Sequence, residues 1–167
     1  MQRVRRLCVH GLAVAALSGC GFKLREGGDF AFHRLFVNFP EDPLGVELRR
    51  HLLGTGKLEL IEDAQRMREA DATLDILSQN RQRVIVGVNA SGQVREVQLR
   101  LSVRFRLRDA QGVEWIEPVT LQMERDLSYA ESAALSKEIE EGLTYRSMQS
   151  DIVGQIMRLL AAVRRRS

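Results

Sequence analysis

The sequence predicts an α+β fold: two helices on one face of a mainly antiparallel or mixed sheet of about four to five strands, a two-layer sandwich. Three observations carry this expectation. First, residues 97–108 alternate without a break. Val97, Leu99, Leu101, Val103, Phe105 and Leu107 fall on one face, and Gln98, Arg100, Ser102, Arg104, Arg106 and Arg108 on the other. That is a long strand with one buried face and one wet, arginine-rich face. Second, Leu44, Leu48 and Leu52 recur every four residues. Third, Leu135, Ile139, Leu143, Ile152, Ile156, Leu159, Leu160 and Val163 form a longer apolar stripe at helical spacing. Such stripes are the faces by which helices pack on a sheet.

In chain order, Leu35-Phe36-Val37-Asn38 reads as a short first strand. Asp42-Pro43 opens a helix, with an acid at the N-cap and proline at the first helical position, and Gly54 supplies its stop. Lys57 to Ile61 is a second strand, and the polar stretch from Glu62 to Asp71 has no clear period. Ala72, Leu74 and Ile76, then Val84, Val86 and Val88, keep a strand period. The polar interruption at Ser78, Asn80 and Gln82 marks either a bulge or a change of surroundings. Asn89-Ala90-Ser91-Gly92 and Asp109-Ala110-Gln111-Gly112 are hairpin turns. A strand from Val113 to about Leu127 follows, and Pro118 sets it at an edge or on a bulge. For the last helix, Ser128 with Glu131 is a candidate capping box, and Ser136 a second candidate start.

The N-terminus carries a different signal. Arg3, Arg5 and Arg6 precede the mostly apolar Leu7–Leu17, which has signal-peptide length and is too short for an ordinary membrane span. Leu17-Ser18-Gly19-Cys20 resembles a bacterial lipobox. That resemblance implies cleavage before Cys20, a diacylglycerol on its thiol and an acyl chain on the new amino group. Two or more chains anchor a protein stably, at about 0.8 kcal/mol per buried methylene. Gly21 is compatible with delivery to the outer membrane. Residues 1–19 are then a removed signal peptide, 20–32 an acylated tether with a Gly27-Gly28 joint, and 33–167 a single globular domain. The chain's two cysteines are Cys8 and Cys20, so the mature protein keeps neither a free thiol nor a disulfide.

The formal charge of +3 resides in that leader. Arg3, Arg5 and Arg6 belong to the 25 basic residues, and without them 22 face 22 acids. The balance gives no ground for a nucleic-acid partner. Lys23, Lys57 and Lys137 are the only lysines, so arginine, the better fork for phosphate and carboxylate, carries most of the positive charge. Enzyme chemistry finds no constellation: His33 and His51 form no metal-spaced cluster, and there is no nucleophile elbow or phosphate-cradling glycine loop. Glu138, Glu140 and Glu141 suit the acidic first turn of a helix. No catalytic residue, metal site or cofactor is expected.

The run Cys20-Gly-Phe-Lys-Leu-Arg25, the Asp71-Ala72-Thr73-Leu74 strand start, the Ser91-Gly92-Gln93 hairpin and the Ala134-Leu135-Ser136-Lys137 helix start, in this order of elements, resemble the LPS-assembly lipoprotein LptE (RlpB) family. The resemblance covers essentially the whole mature chain. It implies a non-enzymatic outer-membrane lipoprotein, anchored in the inner leaflet of that membrane. It also implies a plug inside the LptD barrel that supports barrel assembly and helps lipopolysaccharide (LPS) reach the outer leaflet. By the same resemblance Lys137 is a candidate LPS contact. Ala90 stands at the hairpin tip where a basic residue can occur, with Arg95 the nearest replacement and Arg100 a further candidate. Arg104, Arg106 and Arg108 are candidate partner-facing residues, or else a solvated row paired across strands with acids such as Glu114 or Glu124. Two other functions fit the residues: a scaffold lipoprotein of another outer-membrane machine, or a periplasmic lipid carrier.

Overall fold

The computed structural model describes residues 30–128 and 134–164. The lipobox, Cys20 and Glu131 of the expected capping box lie outside the described residues. The elements are β1 (Arg34–Val37), α1 (Pro43–Gly54), β2 (Glu59–Ile61), a 3-10 helix (Ala64–Glu69), β3 (Ala72–Val88), β4 (Val94–Asp109), β5 (Glu114–Ser128) and α2 (Ala134–Ala162). One five-stranded sheet runs in the order β2-β1-β3-β4-β5. β1 is parallel to both β2 and β3, and the other two pairings are antiparallel. The expected two-layer α+β sandwich is therefore observed, and its sheet is mixed.

Local chemistry sets the boundaries. The Asp42 carboxylate accepts from the Gly45 N–H at 3.0 Å, satisfying one of the donors that α1 leaves open at its start. Leu44, Leu48 and Leu52 are fully buried, as their spacing requires. The two long hairpins close by the same device. Asn89 Oδ1 accepts from the N–H groups of Ser91 and Gln93, and Asp109 Oδ1 from those of Gln111 and Val113. Gly92 and Gly112 then take positive φ, 77° and 85°, where a side chain would be strained. Asp71 ties β1 to the start of β3. It accepts from the backbone N–H groups of His33 and Arg34 at 3.0 and 2.9 Å, and from the Arg34 guanidinium at 3.0 Å.

The core lies between the sheet and the helices. All six apolar residues of β4, from Val97 to Leu107, are fully buried there. They meet α1 through its three leucines, and α2 through Met148, Ile152, Val153, Ile156 and Leu160. Each such side chain contributes about 1.5–3 kcal/mol of transfer free energy. Phe32 is also fully buried, with Phe30 and Trp115 packed nearby. Phe30 and Phe32 thus pack on the body, where their rings find apolar cover with Trp115.

Three expectations need adjustment. β3 takes the bulge, one of the two readings of its polar interruption, so its two apolar runs do not share one face. Its register with β4 shifts between Ile76 and Ser78, and again between Ile85 and Val88. The bulge at Leu77 hands the helix-facing positions to Gln79, Arg81, Arg83 and Ile85. Ser78, Asn80, Gln82 and Val84 turn to the other face. The last helix is not buried along its whole stripe either: Ile139 is 59% and Leu143 55% exposed. The cause is the polar stretch of β3 that α2 must cross. Arg83 Nε donates to Glu141 at 3.0 Å, the Tyr145 hydroxyl to the Gln82 carbonyl at 2.7 Å, and Arg81 to Gln149 at 3.1 Å. These contacts turn the polar side of the first half of α2 toward the sheet and leave Ile139 and Leu143 outside. Finally, α2 starts at Ala134, so Ser136 sits in its first turn and is not its cap. Gln149 donates onward to Glu47 at 2.8 Å, and Ser150 at 2.6 Å, so one polar seam joins β3, α2 and α1.

Candidate functional site: the arginine-rich sheet face and the hairpin end

Alternation along β4 carries Gln98, Arg100, Ser102, Arg104, Arg106 and Arg108 away from both helices. Their cross-strand partners point the same way. Near the base of the sheet the charges are closed among themselves. Asp75 accepts from Arg106 at 2.8 Å and from Arg108 at 2.9 Å, and Arg106 reaches Glu114 at 3.3 Å. Hydrogen bonding to Asp75, working against some desolvation, holds the Arg106 guanidinium above its ordinary pKa. Further along, Arg100 donates to Gln98 Oε1 at 2.7 Å and lies 3.3 Å from Glu124. Glu114 and Glu124, expected across the strands, are thus partners, while Asp75, which takes both Arg106 and Arg108, was not among the acids expected. Arg104 is exposed and has no ion pair among the described residues.

Between these zones the face is polar rung by rung. The register sets Ser78 beside Arg104 and Thr120, Asn80 beside Ser102 and Gln122, and Gln82 beside Arg100 and Glu124. Asn80, Gln82, Arg100, Ser102 and Gln122 line a depression of about 220 Å³. The sequence signal for it was the polar break at Ser78, Asn80 and Gln82; only the Leu77 bulge decides which face those side chains reach.

The other candidate residues lie elsewhere. Along α2, rising residue number follows falling number on β3, from the Glu141–Arg83 contact to Gln149–Arg81. Lys137, one turn before Glu141, therefore stands toward the β3–β4 hairpin end. Arg95 lies in the register shift between Val94 and Glu96 and is exposed near the same end. Lys137 is less open than a free helix start would make it. Its side chain is 19% exposed and its ammonium pairs with Glu140 at 2.5 Å. Arg100 points from the opposite face. Of the three residues considered for LPS, the fold brings Lys137 and Arg95 toward one end and sets Arg100 on the helix-free face.

The histidines and acids of the helices have local duties. The His33 backbone serves Asp71, and the His51 ring lies 3.9 Å from Glu47. Glu140 and Glu141 are taken by Lys137 and Arg83. Burial, and then the charge of Glu141, raise the Tyr145 hydroxyl pKa, against the pull of Arg81 and Arg83. Among the described residues no group of three or more His, Cys, Asp or Glu could hold a metal ion. No described helix is long and apolar enough to cross a membrane.

Comparison with known proteins gives one family. The model of the family described as LptE, lipopolysaccharide-assembly, matches residues 32–160. The LPS-assembly lipoprotein LptE of Pectobacterium atrosepticum is 28% identical over 158 residues, covering 93% of this chain and 84% of that protein. Among solved structures, lipoprotein B from Nitrosomonas europaea superposes with a TM-score of 0.70 at 30% identity, covering 85% of this chain and 91% of the other. The minor lipoprotein of Acinetobacter baumannii superposes with a TM-score of 0.62 at 26% identity, covering 80% and 94%. Rare lipoprotein B from Shewanella oneidensis has a TM-score of 0.66 at 18% identity, covering 78% and 95%, and so shares the fold.

Proposed function

Because this chain belongs to the LptE family of lipopolysaccharide-assembly proteins, we propose that it is an outer-membrane lipoprotein, anchored through acylated Cys20, that plugs the LptD barrel and assists LPS on its way to the outer leaflet. It acts by binding and support and not by catalysis. It needs no metal or cofactor beyond the lipid on Cys20.

The observation that carries the plug reading is the helix-free sheet face. A domain of this size ordinarily covers a sheet's apolar side and leaves the other to solvent. Here the uncovered side presents arginines, amides and hydroxyls across β3, β4 and β5. Barrel lumens are polar, and such a face can meet one without stranding apolar surface. Arg104 is the uncommitted charge for a barrel carboxylate, while Arg106 and Arg108 arrive already engaged by Asp75. At the hairpin end, Lys137 and Arg95 supply cations for lipid phosphates, which accept charge-assisted bonds roughly twice as strong as neutral ones.

The test is a detergent pull-down of the acylated chain from native membranes, with the partner identified by mass, joined to depletion in cells. LptD should co-purify, and depletion should lower the amount of properly assembled barrel. Normal barrel level and LPS export in depleted cells would overturn the assignment.

A further inference from the structure

Among the described residues the sheet has open edges at β2, at β5 and along the upper part of β3, and they are not alike. β2 is three residues long, with Glu59 held by Arg66. β5 carries Glu117, Pro118, Glu124, Arg125 and Asp126. Short length, proline and charge are what keep an edge from pairing with another chain. β3 loses its neighbour at Leu74, opposite the last residue of β1, Val37. From Ser78 to Ile85 it keeps unbroken register with β4 between two bulges, about 26 Å of strand. That stretch holds no proline and no acid. Its two charges are drawn to α2, Arg81 to Gln149 and Arg83 to Glu141.

α2 overhangs this edge. Arg83, Leu99 and Arg125 form one rung across β3, β4 and β5. α2 meets one end of the rung through Glu141 and the other through Asp151. It therefore crosses from β3 to β5 between those residues: about 15 Å of helix for two strand spacings, about 9.6 Å. The same slope carries Ala134–Glu140 about 7 Å beyond β3. A neighbouring strand would lie about 4.8 Å out, beneath those turns. Ile139 on the overhang is 59% exposed, and Ile85 on the edge 52%.

An open edge presents a row of backbone donors and acceptors, and another extended backbone is what meets them all. We infer that β3 from Ser78 to Ile85 takes an extended segment of the barrel partner as a sixth strand, seated beneath the first turns of α2. The strands of a closed barrel have no free edge, so the segment is a loop that enters the lumen. Its side chains are apolar where they meet Ile139 and Ile85, and polar on the side of Ser78, Asn80 and Gln82. This pairing presupposes the plug role and adds a backbone contact to it.

The experiment is hydrogen exchange read by mass spectrometry on the full acylated chain in detergent, alone and in the complex recovered by the pull-down. In the free chain, the amides of residues 78–85 that face away from β4 should exchange freely. In the complex they should slow by about tenfold or more, while those on the open edge of β5 change little. Ile139→Asp should remove most of that slowing and lower recovery of the barrel several-fold. Leu53→Asp, similarly exposed but on α1, should match the parent. Circular dichroism checks that each variant is folded. A barrel that binds without slowing residues 78–85, or an Ile139→Asp protein that keeps the slowing, would overturn the pairing and leave the plug role standing. Slowing in the free chain that grows with protein concentration would make a second copy the occupant, and would overturn it as well. The same slowing with a protein other than LptD would sink the LptD assignment while the edge pairing stands. Recovery of no partner at all would overturn both.

Discussion

Leu101→Ala tests the arrangement of the two layers most directly. Leu101 is fully buried at the centre of β4, with β3 and β5 paired on either side and in one core cluster with residues of both helices. A site held between a paired sheet and packed helices collapses little when emptied, so both the transfer and the cavity costs apply. Truncation of a buried leucine costs about 2–5 kcal/mol, and this position belongs in the upper half of that range. Against a total stability of about 5–15 kcal/mol for a domain, the variant should keep its fold with a much earlier urea midpoint. Its melting temperature should drop by roughly 7–20 °C, taking about 2–4 °C per kcal/mol for a chain of this length. Arg104→Ala, three residues on and facing away, should cost under about 1 kcal/mol, because it is exposed and unpaired. Urea melts of both variants at unchanged m-value provide the comparison. A Leu101→Ala loss below about 1 kcal/mol, or an Arg104→Ala loss above 2 kcal/mol, would mean that the faces are inverted.

Other consequences are as direct. Burial pushes the Asp71 carboxyl up, but the N–H groups of Arg34 and His33 and the Arg34 guanidinium outweigh it and hold the pKa below the ordinary value. The stability this gives is complete above the unfolded-chain value of about 3.9 and is lost as pH falls through the lower folded value. The parent should therefore exceed Asp71→Asn in urea at pH 6, and the gap should close progressively below about pH 4; a gap that widens in acid would refute the assignment. Phe105→Ala should cost as much as a large core truncation, about 3–5 kcal/mol, read in the same melts. Cys20→Ala should lose a metabolic fatty-acid label; equal label on mutant and parent would remove the anchor. Lys137→Asp should reduce LPS capture by setting like charge beside the lipid phosphates in place of a charge-assisted donor. Unchanged capture by a folded variant would take Lys137 out of the site.

What could be read before the fold was known follows from which residues have a single possible environment. β4 has partners on both edges and helices over one face, so its alternation is strict and names the buried side directly. α1 is short, capped by Asp42 and covered on one stripe, and its three leucines state the same fact. β3 gave no such answer. Arg81 and Arg83 carry the polarity of a solvent face, yet they point at the helices, because α2 offers Gln149, Glu141 and Tyr145 to meet them. Polarity along a strand cannot distinguish water from a polar helix flank. A one-residue bulge leaves no mark in composition. The stripe of α2 was overread for the same reason: Ile139 and Leu143 continue the spacing of Ile152 and Ile156 beyond the apolar part of the sheet. Of the candidate site, the arginine row was legible, and so were Glu114 and Glu124, while Asp75 was not. The separation of Arg100 from Lys137 was not, since it depends on which side of the sheet α2 crosses.

The position of α2 at the far end of the sequence has a bearing on how the chain is made. The β3–β4 and β4–β5 hairpins close through local turns at 89–92 and 109–112, so they can pair as soon as Ser128 is available. Met148, Ile152, Ile156 and Leu160, which cover the apolar side of those strands, are the last to appear. A chain emerging N-terminus first therefore passes through a stage in which Leu99, Leu101, Val103 and Phe105 form a bare, twisted apolar surface. Surfaces of that kind aggregate or attract holding partners. Loss of a few turns from the end of α2 would consequently be worse than its length suggests: the product would be an adhesive sheet, and the defect would register as insolubility before it registered as lost function.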